Sequence, residues 1–114
     1  MGTIEIDTNL IPYSFEVELS QKIYTISVNY NYIYDFFTID LMLNGEMLIQ
    51  GEKMVLNEIL FRDAYEDKEH NLNYKFPNEL LIPIAVNDSI TRITFENLGS
   101  DIELYYFERS EIDE

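Results

Sequence analysis

Between Tyr13 and Tyr32 the sequence alternates with little interruption. Tyr13, Phe15, Val17 and Leu19 are apolar at every second position, with Ser14, Glu16 and Glu18 between them. Successive side chains of a β-strand point to opposite faces, so this period of two gives one buried face and one wet face. Ser20 and Gln21 break the run. It resumes through Tyr24, Ile26, Val28, Tyr30 and Tyr32, with Thr25, Ser27, Asn29 and Asn31 opposite. Two such runs joined by a short polar break read as a β-hairpin.

A third run, Phe37, Ile39, Leu41 and Leu43, has Thr38 and Asp40 facing out and ends at Asn44-Gly45. Asn-Gly suits the two positive-φ positions of a type I′ turn, which predicts a fourth strand, Glu46 to Gln50, returning alongside the third. Four strands in sequence then form a meander with short links, and Gly51 closes the fourth. Val55, Leu56, Ile59 and Leu60 have helix-like spacing over about two turns. Arg62 to Asn73 is polar and reads as an exposed loop, and Pro77-Asn78 as a turn.

Leu80, Leu81, Ile82, Ile84 and Val86 suggest a further strand. Pro83 has no N–H to give to a ladder, so that strand belongs at an edge or beside a bulge. Thr91 to Phe95 reads as a short strand and Asn97 to Asp101 as a turn built on Gly99. The final strand spans Ile102 to Phe107. It is apolar on both faces, with Ile102, Leu104 and Tyr106 on one and Tyr105 and Phe107 on the other. That pattern calls for burial on both sides, by the core and by a neighbouring subunit. The sum is all-β: a compact antiparallel barrel or sandwich of about seven or eight short strands, with at most one short helical turn. Residues 1–110 form a single domain and residues 111–114 a frayed tail.

At 114 residues there is one core to build, and a hydrophobic fraction of 46% with 14% aromatic residues supplies it. With 22 acidic residues against 7 basic ones, the formal charge is −15. Phosphate contacts come from Lys and Arg, so nucleic acid is excluded as a direct partner, and an anionic membrane surface with it. Basic protein surfaces remain as partners, and solubility is the simplest use of the charge. There is no cysteine, hence no disulfide, which fits a reducing cytosol. The opening residues MGTIEIDT carry neither a basic segment nor an apolar run and so do not read as a signal peptide.

Catalytic signatures are missing. The single histidine, His70, sits in the polar stretch EDKEHN with no nucleophile motif elsewhere, and reads as a solvated loop residue. Asp63, Glu66, Asp67 and Glu69 offer oxygens of the kind Ca²⁺ takes, but without an EF-hand pattern or a glycine at the sharp turn. No cofactor or metal is expected. The nine tyrosines suit both sheet filling and interface contact, because each pairs an apolar body with a polar tip. Tyr30, Tyr32, Tyr34, Tyr105 and Phe107 are the candidate subunit-contact residues.

Several short stretches also occur in a familiar order: YSFEVELSQKIYTISVNYN, FFTIDLMLNGEMLIQG, LNEIL, FPNELLIPIA, and NLG leading into IELYYFE. In pattern and order, over residues 4 to 108, the chain resembles the phage baseplate plug family. Members of that family have about this length, open with a hairpin closed by a short polar turn, and end in a Leu-Gly turn before an aromatic-rich strand. Asn78 stands where a glycine is common, and asparagine also tolerates positive φ. The resemblance implies a structural component of a contractile phage tail or tail-like bacteriocin baseplate, without catalytic residues. Such a component packs near the central hub and contacts tube, hub or wedge proteins in a symmetric, multi-copy assembly. It passes through the host cytoplasm before joining the particle. Two other readings compete: an acidic DNA mimic that inhibits a DNA-binding protein, and a sugar-binding β-module that uses tyrosines as a stacking platform.

Overall fold

The hairpin pattern between residues 13 and 53 is realised as one four-stranded antiparallel sheet. In the computed structural model, which describes residues 1–62 and 75–108, β2 (Tyr13–Leu19), β3 (Lys22–Asn31), β4 (Phe36–Leu43) and β5 (Glu46–Lys53) lie side by side in chain order. The links are as short as the sequence suggests. Ser20 and Gln21 have φ of 54° and 63°, and Asn44 and Gly45 have 52° and 81°. Both pairs take the doubly positive conformation whose twist matches that of the flanking strands.

Register then decides the core. Tyr13 pairs with Val28, Phe15 with Ile26 and Val17 with Tyr24, while across the next interface Ile26 pairs with Leu41, Val28 with Ile39 and Tyr30 with Phe37. Directly opposed residues share a face, so these apolar side chains form one inner surface. Tyr24, Ile26, Val28, Phe37, Ile39 and Leu41 are fully buried there.

A second, three-stranded antiparallel sheet has the order β1-β7-β6, from β1 (Gly2–Ile4), β6 (Leu80–Ala85) and β7 (Ile102–Phe107). Gly2 pairs with Tyr106 and Ile4 with Leu104, while Leu81 pairs with Tyr106 and Pro83 with Leu104. Ile4, Leu81, Ile102 and Leu104 join the residues of the first sheet in one buried cluster. The arrangement is a two-sheet sandwich over a shared core. Between β1 and β2 lies a 3₁₀ turn at Thr8–Leu10, capped by the Asp7 carboxylate.

Polar ties join the sheets at the Ser20 hairpin. Glu79 accepts from the Ser20 backbone N–H (3.0 Å) and hydroxyl, the Asn78 N–H donates to Ser20 Oγ (2.7 Å), and the Tyr24 hydroxyl donates to the Lys75 carbonyl (2.8 Å).

Four sequence expectations change. The fourth strand does not stop at Gln50. Gly51 (φ 75°) lies in a bulge where β5 fits extra residues against β4, its N–H held by Asp40 Oδ1 at 2.8 Å, and the strand runs on to Lys53. Residues 55–60 form no helix. Their apolar side chains are spaced to reach the core from a folded loop, with Met54, Leu60 and Phe61 buried. Thr91 to Phe95 is no strand, because turns centred on Arg92 and Asn97 occupy its backbone. Tyr32 does not continue β3, which ends at Asn31.

The loop after β5 also explains Pro83. The Asn57 N–H donates to the Pro83 carbonyl and the Leu60 N–H to the Leu81 carbonyl, both at 2.8 Å. These carbonyls face away from β7, so the missing N–H of Pro83 falls on that side too and leaves the β6–β7 ladder intact. Apart from Arg62, the polar loop with its carboxylates and His70 lies outside the described residues, as does the C-terminal tail after Glu108.

Candidate contact surface

The turn between β3 and β4 is held by side chains on both of its flanks. Asn31 Oδ1 accepts from the backbone N–H groups of Ile33 (3.0 Å) and Tyr34 (3.1 Å). At the other end Asp35, with φ of 55°, accepts on Oδ1 from the Tyr30 hydroxyl (2.7 Å) and from the Phe95 N–H (2.9 Å). Arg92 clamps the same turn. Its Nη2 donates to the carbonyls of Tyr34 (3.2 Å) and Asp35 (2.6 Å), and Nη1 lies 3.7 Å from Asp35 Oδ2.

These contacts set the electrostatics of the turn. The hydrogen bond from Tyr30, then that from Phe95, holds the Asp35 carboxyl below its ordinary range, with Arg92 adding to the effect. The same bond to Asp35 raises the Tyr30 phenol. The Tyr30 ring also packs on Phe37 (4.9 Å between centroids) and Phe95 (5.1 Å). A shallow depression lined by Tyr30, Asp35, Thr94, Phe95 and Glu96 runs along the seam.

What the clamp presents is apolar. Tyr32 is 81% exposed, Ile33 68% and Tyr34 71%. Three consecutive large side chains therefore stand in solvent on a turn fixed at both ends. Leu10 and Val86 are also exposed, and the chain path puts them at this end of the sandwich. Leu10 follows Ile6, whose carbonyl lies against Gly99, and the Val86 N–H bonds the Asp101 carbonyl.

The five candidate contact residues thus fall into two places. Tyr32 and Tyr34 form the tip of the β3–β4 turn. Tyr30 faces inward behind them, half-buried, and supports the turn through Asp35. Tyr105 and Phe107 lie on the outer face of the second sheet, their rings 6.0 Å apart and inclined by 24°. They stand opposite Ile82 and Leu80 and are half-buried. Sequence reading missed Ile33, Asn31, Asp35, Arg92 and Phe95. The available signal was Ile33 itself, an apolar residue in a tight turn between two alternating runs, where a polar one is usual.

Among the described residues no three His, Cys, Asp or Glu side chains gather into a metal-binding group. No helix is long and apolar enough to cross a membrane, a statement about helices alone.

Fold and surface together define a small all-β sandwich that presents three exposed apolar side chains on a pre-formed turn. Residues 1–110 match the family described as cyanophage baseplate Pam3 plug gp18, and the chain belongs to that family of phage baseplate plugs. No curated protein matches the chain.

Proposed function

We propose that this protein is a structural, non-catalytic component of a contractile-tail baseplate, in a phage or a tail-like bacteriocin. In this reading it packs near the central hub and contacts tube, hub or wedge proteins in several symmetric copies. It joins the particle from the host cytoplasm. The observation that carries the proposal is the family match over residues 1–110. Two further features support it. The exposed Tyr32, Ile33 and Tyr34 are of the kind enriched at protein interfaces, and the charge of −15 favours basic neighbours.

The test is a tagged pull-down from the native producing strain during tail production, with captured proteins identified by mass spectrometry at low and high salt. Tube, hub or wedge proteins are the expected captures, with yields falling as salt screens the acidic surface. Capture of a nuclease or polymerase without any tail protein would overturn the reading in favour of DNA mimicry.

A further inference from the structure

We infer that the Tyr32–Ile33–Tyr34 tip is an anchor that docks into an apolar recess rimmed by Lys or Arg side chains on a different protein of the same particle. This rests on the baseplate reading above and deepens it by naming the docking surface and the chemistry of its partner.

The geometry points there for three reasons. The first is exposure: among the described residues, Tyr32 and Tyr34 are the two most exposed large apolar side chains, and Ile33 follows Met1 in fourth place. Removing them from water is worth roughly 25 cal/mol per Å² of apolar surface. The second is rigidity. The turn is fixed by Asn31, Asp35 and Arg92 before any partner arrives, so little ordering cost remains for binding. Well-packed tyrosines are typical anchor residues at the centre of an interface.

The third reason is charge, and it selects the occupant. Behind the tip, two carboxylates, Asp35 and Glu96, line the depression. Among the described residues, two bases touch the turn or the start of β4, and both are engaged. Arg92 is spent on Asp35 and two carbonyls, and the Lys53 ammonium sits 4.8 Å from the centroid of the Phe36 ring. An apolar tip in an acidic surround matches a recess with a basic rim. A second copy of a chain carrying −15 would bring like charge against like, so a different protein is the fitting occupant.

The test places a photo-crosslinking amino acid, p-benzoylphenylalanine, at Tyr32 or at Tyr34 and irradiates tail particles purified from the producing strain. The expected product joins the tip to a peptide of another particle protein, with apolar residues flanked by Lys or Arg. A cross-link to a second copy of this chain or to an acid-flanked surface would overturn the inference. So would the absence of any cross-link in particles that contain the chain. Each of these leaves the baseplate reading standing. Particles that lack the chain altogether would overturn that reading, and the inference with it.

A companion variant replaces all three tip residues (Tyr32→Ser, Ile33→Ser, Tyr34→Ser) and keeps Asn31 and Asp35. Its occupancy in particles should fall about tenfold, with a thermal midpoint close to wild type. Ile23→Ser, an exposed residue beside the far Ser20 hairpin, is the control and should keep wild-type occupancy. Wild-type occupancy of the triple variant would count against the anchor.

Discussion

Tyr24 and Asp35 show how a single polar side chain is used in β3 and in the turn that follows it. The Tyr24 ring is fully buried, and its hydroxyl ties the first sheet to the Lys75 carbonyl. Burial, then the charge of Glu79, pushes its phenol up to about 12. Its folded value lies above the unfolded one, so this contribution to stability is complete below pH ~10 and is lost as pH rises toward ~12. Tyr24→Phe should cost about 1 kcal/mol near neutral pH and remove part of the alkaline loss. Urea denaturation across that pH range checks both. Asp35 has the opposite sign. Its carboxyl is held down by Tyr30, Phe95 and Arg92, so its support for the turn is present above the ordinary Asp value, about pH 4, and is lost in acid. Asp35→Ala leaves the Phe95 N–H and the Arg92 guanidinium without this acceptor, and should loosen the Tyr32–Tyr34 turn above about pH 4. Faster amide exchange at Ile33 and Tyr34, with the two-sheet core intact, is the expected signature. None of this pairing was readable in the sequence, because Asp35 and Arg92 are far apart along the chain and meet only through the fold.

At the scale of elements, what the sequence made legible was local. Both hairpin turns, the inner face of β2 to β4, the edge position of Pro83 and the full extent of β7 follow from alternation and turn chemistry within a few residues. Two of the failures were non-local. Leu56, Ile59 and Leu60 were spaced like a helix because they reach the same core, while Val55 stays exposed and the backbone of this stretch covers the edge of β6. Gly51 looked like a stop and is a bulge, because Asp40 on the neighbouring strand supplies its hydrogen bond. β1 was missed because three residues carry no periodicity. The turn before β7 is the most constrained of the links. Gly99 has φ of 90°, and a Cβ there would lie 2.9 Å from the Ile6 carbonyl oxygen. Gly99→Ala is therefore expected to destabilise by about 1–3 kcal/mol, read as a shift in the urea midpoint at unchanged slope. Pro83→Ala should leave the β6–β7 ladder intact but cost about 1 kcal/mol, since the restored N–H faces away from β7 into the side covered by the 55–60 loop.

Across the whole molecule, one core serves two sheets that share no hydrogen-bonded strand edge. The three-stranded sheet depends on β1, which covers one edge of β7 and brings Ile4 into the core, while the Gly2 Cα sits against the Tyr106 ring with no room for a Cβ. Deleting residues 1–4 should therefore cost more than the four residues' own burial. It uncovers the backbone of the aromatic strand Ile102–Phe107 as a free edge, and an unprotected edge invites intermolecular pairing. A shift to larger species than the full-length chain in size-exclusion chromatography, despite the high negative charge, is the expected outcome.

That same pairing also sets a timetable. During synthesis residues 2–4 emerge before the meander, and their partners at 104–106 are among the last of the described strands to be made. The meander of β2 to β5, joined by links of a few residues, is complete long before then, and short-range contacts of that kind form quickly. The second sheet has to wait for β7. A nascent chain of this protein is thus a finished half with an open apolar face until translation passes Phe107, and a truncated product never closes it. Closure of the β1–β7 pair is the step that completes the second sheet.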